Sequence, residues 1–120
     1  MSERISGAWG EEKAAEYLIN NGYSIIERNY NCRISEIDII AKKGNTLVFA
    51  EVKTRRSKIY AEAREFVGKT KQDKLRKAAG LWLSSNSTGL QPRFDVIEVY
   101  APDGENTVSP RINHIINAFY

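Results

Sequence analysis

The stretch ISEIDIIAKKGNTLVFAEVKTRR, from Ile34 to Arg56, decides the fold of this chain. Segments 36–41 and 47–53 are rich in β-branched and apolar residues, and they flank the turn pair Gly44-Asn45. This pattern predicts a β-hairpin with a two-residue loop. Acidic side chains lie inside both strands, which is unusual for segments that are otherwise typical of a sheet core.

Counting outward from the two-residue loop predicts the register of the hairpin. The predicted pairs are Ile40 with Phe49, Asp38 with Glu51, and Glu36 with Lys53. Opposite residues share a face, and like charges there destabilise a sheet by up to about 1 kcal/mol. We therefore expect a cation between Asp38 and Glu51, most simply a divalent metal ion. A three-residue loop would instead place the two acids on opposite faces.

Length and composition predict one domain, residues 1–120, in the cytoplasm. The single cysteine, Cys32, excludes an internal disulfide and a Cys-rich zinc site. The polar start and the lack of a long apolar run argue against a membrane protein.

Positive charge is concentrated in one part of the chain. Residues 42–77 carry 12 Lys/Arg against four Asp/Glu, a balance of +8, whereas the remainder carries −5. Such runs often only solubilise a surface. Here the asymmetry surrounds the acidic hairpin and favours a polyanionic partner, nucleic acid before membrane.

Helical spacing predicts helices over 5–20 and 70–83, the second with Thr70 as its N-cap. Glu11 falls inside the apolar stripe of the first helix, which otherwise includes Leu18 and Ile19. A carboxylate there is costly unless it is paired or metal-bound, and a salt bridge or a helix-dipole role is the alternative. Lys71 lies on the apolar face of the second helix, where a snorkelling lysine is the alternative.

The remaining predicted elements are strands at 23–29 and 93–100, with weak helical character at 61–66 in a basic connection. The tail 111–120 is either a final strand or a packed segment, and His114 within it is interpreted as structural. Asp38 followed by Glu51-Val52-Lys53 matches the pattern D-x(n)-E-x-K. Carboxylates are natural ligands of Mg²⁺ or Mn²⁺, and a nearby ammonium group can stabilise charge on a phosphoryl transition state.

A wider set of motifs resembles the YraN-type family of small, largely uncharacterised bacterial proteins. The motifs are GAWGE at 7–11, AAEYL at 14–18, RN at 28–29, EID at 36–38, VFAEVKTR at 48–55, Lys71, and RFDV at 93–96. Ser35 and Ala61 depart from it, since glycine is usual at both positions. That family is similar to archaeal Holliday-junction resolvases and to the PD-(D/E)XK restriction-endonuclease-like superfamily. The resemblance implies an α/β fold with a mixed central β-sheet flanked by helices.

The resemblance also implies roles for individual residues. Asp38 and Glu51 become the metal-binding acids, Lys53 the catalytic lysine, and Glu11 and Lys71 additional active-site groups. The basic residues expected to bind nucleic acid are Arg55, Arg56, Lys58, Arg64, Lys69 and Lys74.

Together these observations predict a Mg²⁺- or Mn²⁺-dependent endonuclease that acts on nucleic acid, DNA before RNA, including branched or structured DNA. A homodimer is expected from the symmetric cutting of resolvases, with the C-terminal tail as a candidate face. The alternatives are a non-catalytic nucleic-acid-binding module of the same fold that acts in DNA repair or recombination, and a protein-interaction domain.

Overall fold

The structure is a computed structural model that describes residues 5–56 and 68–120. These residues form five strands and two α-helices. In chain order the elements are α1 (Gly7–Asn20), β1 (Ser24–Asn31), β2 (Glu36–Lys43), β3 (Thr46–Arg55), α2 (Lys69–Ser85), β4 (Gln91–Tyr100) and β5 (Arg111–Phe119). A short 3-10 helix, Gly104–Asn106, lies between β4 and β5. The strands form one sheet in the order β1-β2-β3-β4-β5.

The central hairpin has the predicted two-residue loop. Its register runs from Lys43–Thr46 through Ile40–Phe49 to Ile39–Ala50. Gly44 adopts a positive φ of 58°, a conformation that glycine reaches without steric cost. The paired register ends at Ile39–Ala50, directly before the two acidic residues.

The sheet is mixed because β3 and β4 run parallel, whereas the other neighbouring strands are antiparallel. A parallel pair needs a crossover connection, and here the crossover contains α2. The sheet is therefore flanked by helices in a restriction-endonuclease-like arrangement, as predicted.

The two helices cover opposite faces of the sheet. Alternate residues of β3 divide between two core clusters: Val48 and Ala50 pack with α1, and Phe49 packs with α2. On α2 the buried residues are those that the helical spacing predicted, Leu75, Ala78, Ala79 and Trp82.

Three details of the sequence prediction need adjustment. The second helix begins at Lys69 after Gly68, so Thr70 is not its N-cap. On α1, Leu18 is fully buried but Ile19 is 57% exposed, so the predicted apolar stripe was one residue too wide. The tail forms the edge strand β5, which decides between the two predicted alternatives. No helix within the described ranges is both long and apolar enough to cross a membrane.

Candidate active site

The candidate site lies where β2 and β3 separate. Beyond Ile39–Ala50, the side chain of Asp38 replaces the backbone ladder: its Oδ2 accepts a hydrogen bond of 2.8 Å from the backbone N–H of Val52. The sheet thus opens into a fork with Asp38 on one strand and Glu51 on the other. We call Asp38, Glu51 and the nearby Glu11 the acidic fork.

Asp38 is the most perturbed group of the acidic fork. Its side chain is buried, and this burial raises its pKa to about 7, against the opposing effect of the Val52 N–H. The carboxylates of Glu51 and Glu11 raise the pKa further. Carboxylates from two other elements are therefore close enough to oppose the ionisation of Asp38, and a bound cation would relieve that repulsion.

Glu11 reaches the fork because α1 approaches β3 very closely. Gly10 is buried, and a Cβ added there would collide with Oγ1 of Thr54. Burial raises the pKa of Glu11, a hydrogen bond with Asn29 lowers it, and the charge of Glu36 raises it. The carboxylate predicted to face the core is thus half-buried at the edge of the site.

Lys71 contributes a cation from the first turns of α2. Its Nζ lies 3.7 Å from Oε2 of Glu51, and the two side chains are 44% and 10% exposed, respectively. The lysine on the apolar face therefore reaches an acidic partner instead of only covering apolar surface.

Lys53 lies two residues beyond Glu51 on the same strand, so the two side chains start from the same face. It is half-buried and stands beside Glu98 of β4 in the parallel register. Glu98 is itself buried and accepts hydrogen bonds from Tyr100 Oη at 3.0 Å and from Asn113 Nδ2 at 2.7 Å. Sequence reasoning did not single out this carboxylate, although it occupies an inward position of β4.

The predicted nucleic-acid-binding residues are spread over two elements. Arg55 ends β3 and is half-buried, and Arg56 follows it and is exposed. Lys69 and Lys74 are exposed on α2. Lys58 and Arg64, like Ala61 and the predicted helical turn at 61–66, lie outside the described residues.

The donors of the fork fit a magnesium ion better than a transition metal. Within 5–56 and 68–120, no group of three His, Cys, Asp or Glu side chains is arranged to hold a metal ion by itself. Mg²⁺, however, is commonly bound by one or two carboxylates, with water and substrate phosphate oxygens completing its coordination. Asp38 and Glu51 supply such a pair.

A second buried polar network, centred on Asp95, lies outside the fork. Arg93 donates to both carboxylate oxygens, from Nε at 2.9 Å and from Nη2 at 2.8 Å, and Nε2 of His114 lies 2.7 Å from Oδ2. The hydroxyl of Tyr17 lies 3.0 Å from Nδ1 of His114. Donation from Nε2 and acceptance at Nδ1 satisfy a neutral imidazole. The interpretation of His114 as structural agrees with this setting.

In the sequence, only the period-two pair Arg93 and Asp95 on one strand points to that network, and it does so weakly. Nothing in the sequence connects them to Tyr17, which is 97 residues from His114 along the chain.

Comparison with known proteins identifies similar chains. Residues 10–99 match the model of an uncharacterised protein family, UPF0102. A UPF0102 protein of Caldanaerobacter subterraneus subsp. tengcongensis is 45% identical over 120 residues, covering 99% of this chain and 98% of the relative. A UPF0102 protein of Caldicellulosiruptor saccharolyticus is 46% identical, and the match covers 99% of this chain and 100% of the relative. A UPF0102 protein of Syntrophomonas wolfei is 45% identical, and the match covers 97% of this chain and 98% of the relative.

Proposed function

This chain belongs to the uncharacterised protein family UPF0102, which is the YraN-type family that its motifs resemble, and we propose that it is a magnesium-dependent nuclease acting on DNA. The observation that carries the proposal is the meeting of Asp38, Glu51 and Glu11 at a fork in the sheet, where burial, together with the charges of Glu51 and Glu11, raises the pKa of Asp38 to about 7. Perturbed carboxylates of this kind cluster at functional sites.

The residues of the fork have separable roles in phosphodiester hydrolysis. Asp38 and Glu51 would hold Mg²⁺ or Mn²⁺, which when bound polarises the phosphoryl group and lowers the pKa of water. The Val52 N–H holds one oxygen of Asp38 in place through a 2.8 Å hydrogen bond. Asp38 is buried and the side chain of Glu51 is 10% exposed, which limits the motion of both carboxylates.

Two lysine side chains bring positive charge to the fork. Lys53 presents an ammonium group on the same face of β3 as Glu51, where it stabilises negative charge that develops on the phosphoryl oxygens. Lys71, at 3.7 Å from Glu51, is an ion-pair partner that orients that carboxylate. Glu11 is the third acid and would orient an attacking water.

The charge distribution supports nucleic acid as the substrate. The fork is strongly acidic, yet the chain from residue 42 to residue 77 carries +8. Positive groups around an acidic catalytic centre attract a phosphate backbone that the carboxylates alone would repel.

The test is a cleavage assay with Mg²⁺ or Mn²⁺ on duplex, flap and four-way DNA. We expect the isosteric variants Asp38→Asn and Glu51→Gln each to lower the rate at least about 100-fold, because each removes a ligand charge. The matched control is Glu16→Gln, which removes a carboxylate from α1 that is 52% exposed. Cleavage that survives in both fork variants would show that the activity arises elsewhere.

One observation favours a second candidate, a nucleic-acid-binding module of the same fold without turnover. The described residues hold no ready-made group of three metal ligands. Calorimetric titration of Mg²⁺ into the protein, with and without DNA, separates the two. Heat of binding that disappears in Asp38→Asn supports the nuclease, whereas DNA binding without any metal binding at millimolar Mg²⁺ supports the module.

A further inference from the structure

Successive side chains in the middle of β1 contact different helices, as expected for a regular strand, whose side chains point alternately to its two faces. Glu27 faces α2, since its Oε1 accepts a hydrogen bond of 2.9 Å from Nε1 of Trp82. Arg28 faces α1, since its Nη1 donates to Oε1 of Glu12 at 2.8 Å. Regular alternation would turn the next side chain back towards α2.

Asn29 interrupts this alternation. Its side chain hydrogen-bonds with Glu11 of α1, the same helix that Arg28 contacts, and only Tyr30 packs again against the core cluster that contains α2. The backbone explains the interruption, because Asn29 has a φ of 55°, whereas regular strand residues have a strongly negative φ. Two consecutive residues of β1 thus hold the two consecutive acids of α1, Glu11 and Glu12.

This left-handed residue lies beside the acidic fork. The register of β1 with β2 pairs residue 28 with residue 39 and residue 30 with residue 37, so Asn29 lies opposite Asp38. A positive φ is uncommon for any residue other than glycine, although asparagine tolerates it better than most. Residues held in such conformations cluster at functional sites, because the surrounding structure must compensate for the strain.

An amide is a suitable partner for a carboxylate at this position. Glu11 is close enough to Asp38 to oppose its ionisation. A lysine or arginine in place of Asn29 would neutralise part of the fork, whereas an amide donates a hydrogen bond without adding charge. Asn29 can therefore restrain Glu11 and leave the negative charge of the fork available to a cation.

We propose that Asn29 is a positioning residue of the acidic fork, whose side-chain amide holds the carboxylate of Glu11 towards Asp38. The inference rests on the proposed function and deepens it, because Glu11 is the acid that would orient the attacking water. Asn29 then acts on the reaction through Glu11 and not through the metal ligands.

The contact is tested first, without reference to activity. Proton–nitrogen correlation spectra of the full chain report the side-chain amide of Asn29. Glu11→Gln should move these amide protons upfield, because a neutral acceptor makes a weaker hydrogen bond than a carboxylate. Glu16→Gln, which changes a 52% exposed carboxylate of the same helix, should leave them in place.

The effect on the reaction is tested by cleavage of four-way and flap DNA with Mg²⁺. Asn29→Gly removes the amide, and the urea midpoint should stay close to that of wild type, because glycine reaches a φ of 55° without steric cost. We expect kcat to fall about 10-fold with KM unchanged, as for other partners that orient active-site groups. The double variant Glu11→Gln/Asn29→Gly should be no slower than Glu11→Gln alone.

Two further variants separate the hydrogen bond from the backbone conformation. Asn29→Asp keeps the shape and tolerates a positive φ, but the ionised side chain cannot donate, so kcat should fall as in Asn29→Gly. The matched control is Asn117→Gly, since Asn117 is also exposed, has a φ of 57° and lies on β5 at the opposite edge of the sheet. Glycine keeps the backbone N–H that donates to Asp95, so kcat should equal that of wild type.

The outcomes separate this inference from the proposed function. Asn29 amide signals that do not respond to Glu11→Gln overturn the inference, whether or not the protein cleaves DNA. If the amide responds but Asn29→Gly cleaves as fast as wild type, or adds its loss to that of Glu11→Gln, the positioning role is overturned while cleavage at the fork stands. A wild-type protein that cleaves no DNA, with amide signals that respond, refutes the proposed function and supports the placement of Glu11 by Asn29.

Discussion

Asp38 and Asp95 are both buried carboxylates of the same sheet, but their surroundings shift the carboxyl pKa in opposite directions. Asp95 is 1% exposed and receives hydrogen bonds from Arg93, His114 and the N–H of Asn117. Burial opposes its ionisation, but these donors outweigh burial and lower its pKa. Asp38 is 9% exposed and accepts a hydrogen bond from the N–H of Val52, and burial raises its pKa to about 7.

The difference lies in the neighbours rather than in the depth of burial. Asp95 is surrounded by donors and a cation, so its charge is compensated within the fold. Asp38 is surrounded by other carboxylates, so its charge remains uncompensated until a cation binds. The first arrangement stabilises the fold, whereas the second stores an electrostatic cost that a ligand can relieve.

Removing the charge of Asp95 should have the largest effect on stability. Asp95→Asn leaves the bidentate Arg93 without its counter-charge, and we expect the free energy of unfolding at pH 7 to fall by about 3–5 kcal/mol. Urea denaturation at pH 7 measures this loss in the free energy of unfolding. The control is Asp73→Asn, since Asp73 is 49% exposed and pairs with Arg76 on the surface of α2, so its loss should cost at most about 1 kcal/mol.

The pH dependence of that loss follows from the lowered pKa of Asp95. Its stabilisation is present above the ordinary pKa of 3.8 and disappears as the pH falls through the lower pKa of the folded state. The difference between wild type and Asp95→Asn should therefore shrink only below about pH 4. A difference that already vanishes at pH 6 would contradict the lowered pKa.

Removing the charge of Asp38 should instead raise the free energy of unfolding. At low pH the carboxyl is protonated in both states, and the cost of ionising it in the folded state grows as the pH rises from 3.8 to about 7. In EDTA at pH 8, Asp38→Asn should therefore be more stable than wild type by about 1–3 kcal/mol, with no advantage at pH 4. Urea denaturation at both pH values checks this, and a less stable variant at pH 8 would refute the uncompensated charge.

Removing the charge of Lys71 should have the smallest effect on stability. Lys71 is 44% exposed and lies 3.7 Å from Glu51, so Lys71→Gln should cost at most about 1 kcal/mol. Arg93→Gln is the matched change in the other network, where the guanidinium is 22% exposed and pairs with Asp95, and it should cost several times more. Equal losses in thermal denaturation would remove the distinction between the two sites.

Much of the fold was predictable because its deciding signals are local. The Gly44-Asn45 turn specifies the hairpin register, and alternation along β3 specifies which residues face each helix. The prediction that Ile19 faces the core was wrong because helical spacing defines a stripe but not the rotation of the helix against the sheet.

The site was predictable only in part. The hairpin predicted that Asp38 and Glu51 lie near each other. The hydrogen-bonded register stops before them, however, and the side chain of Asp38 accepts the hydrogen bond of the Val52 N–H in place of a backbone carbonyl. Glu11 and Lys71 were placed there by family resemblance, since no local rule specifies where two helices meet a sheet. The roles of all these residues stay predictions.

The sequence by itself determined the hairpin, the helices and the acidic and basic residue types, because turns and periodicity act over a few neighbouring residues. Only the tertiary structure decided that Asp38 is crowded by acids while Asp95 is surrounded by donors. The effect of a buried charge depends on groups that the fold brings close, and for Asp95 these include His114 from another strand, with Tyr17 of α1 behind it. The two aspartates are chemically identical in the sequence, and their environments make one structural and the other a candidate for function.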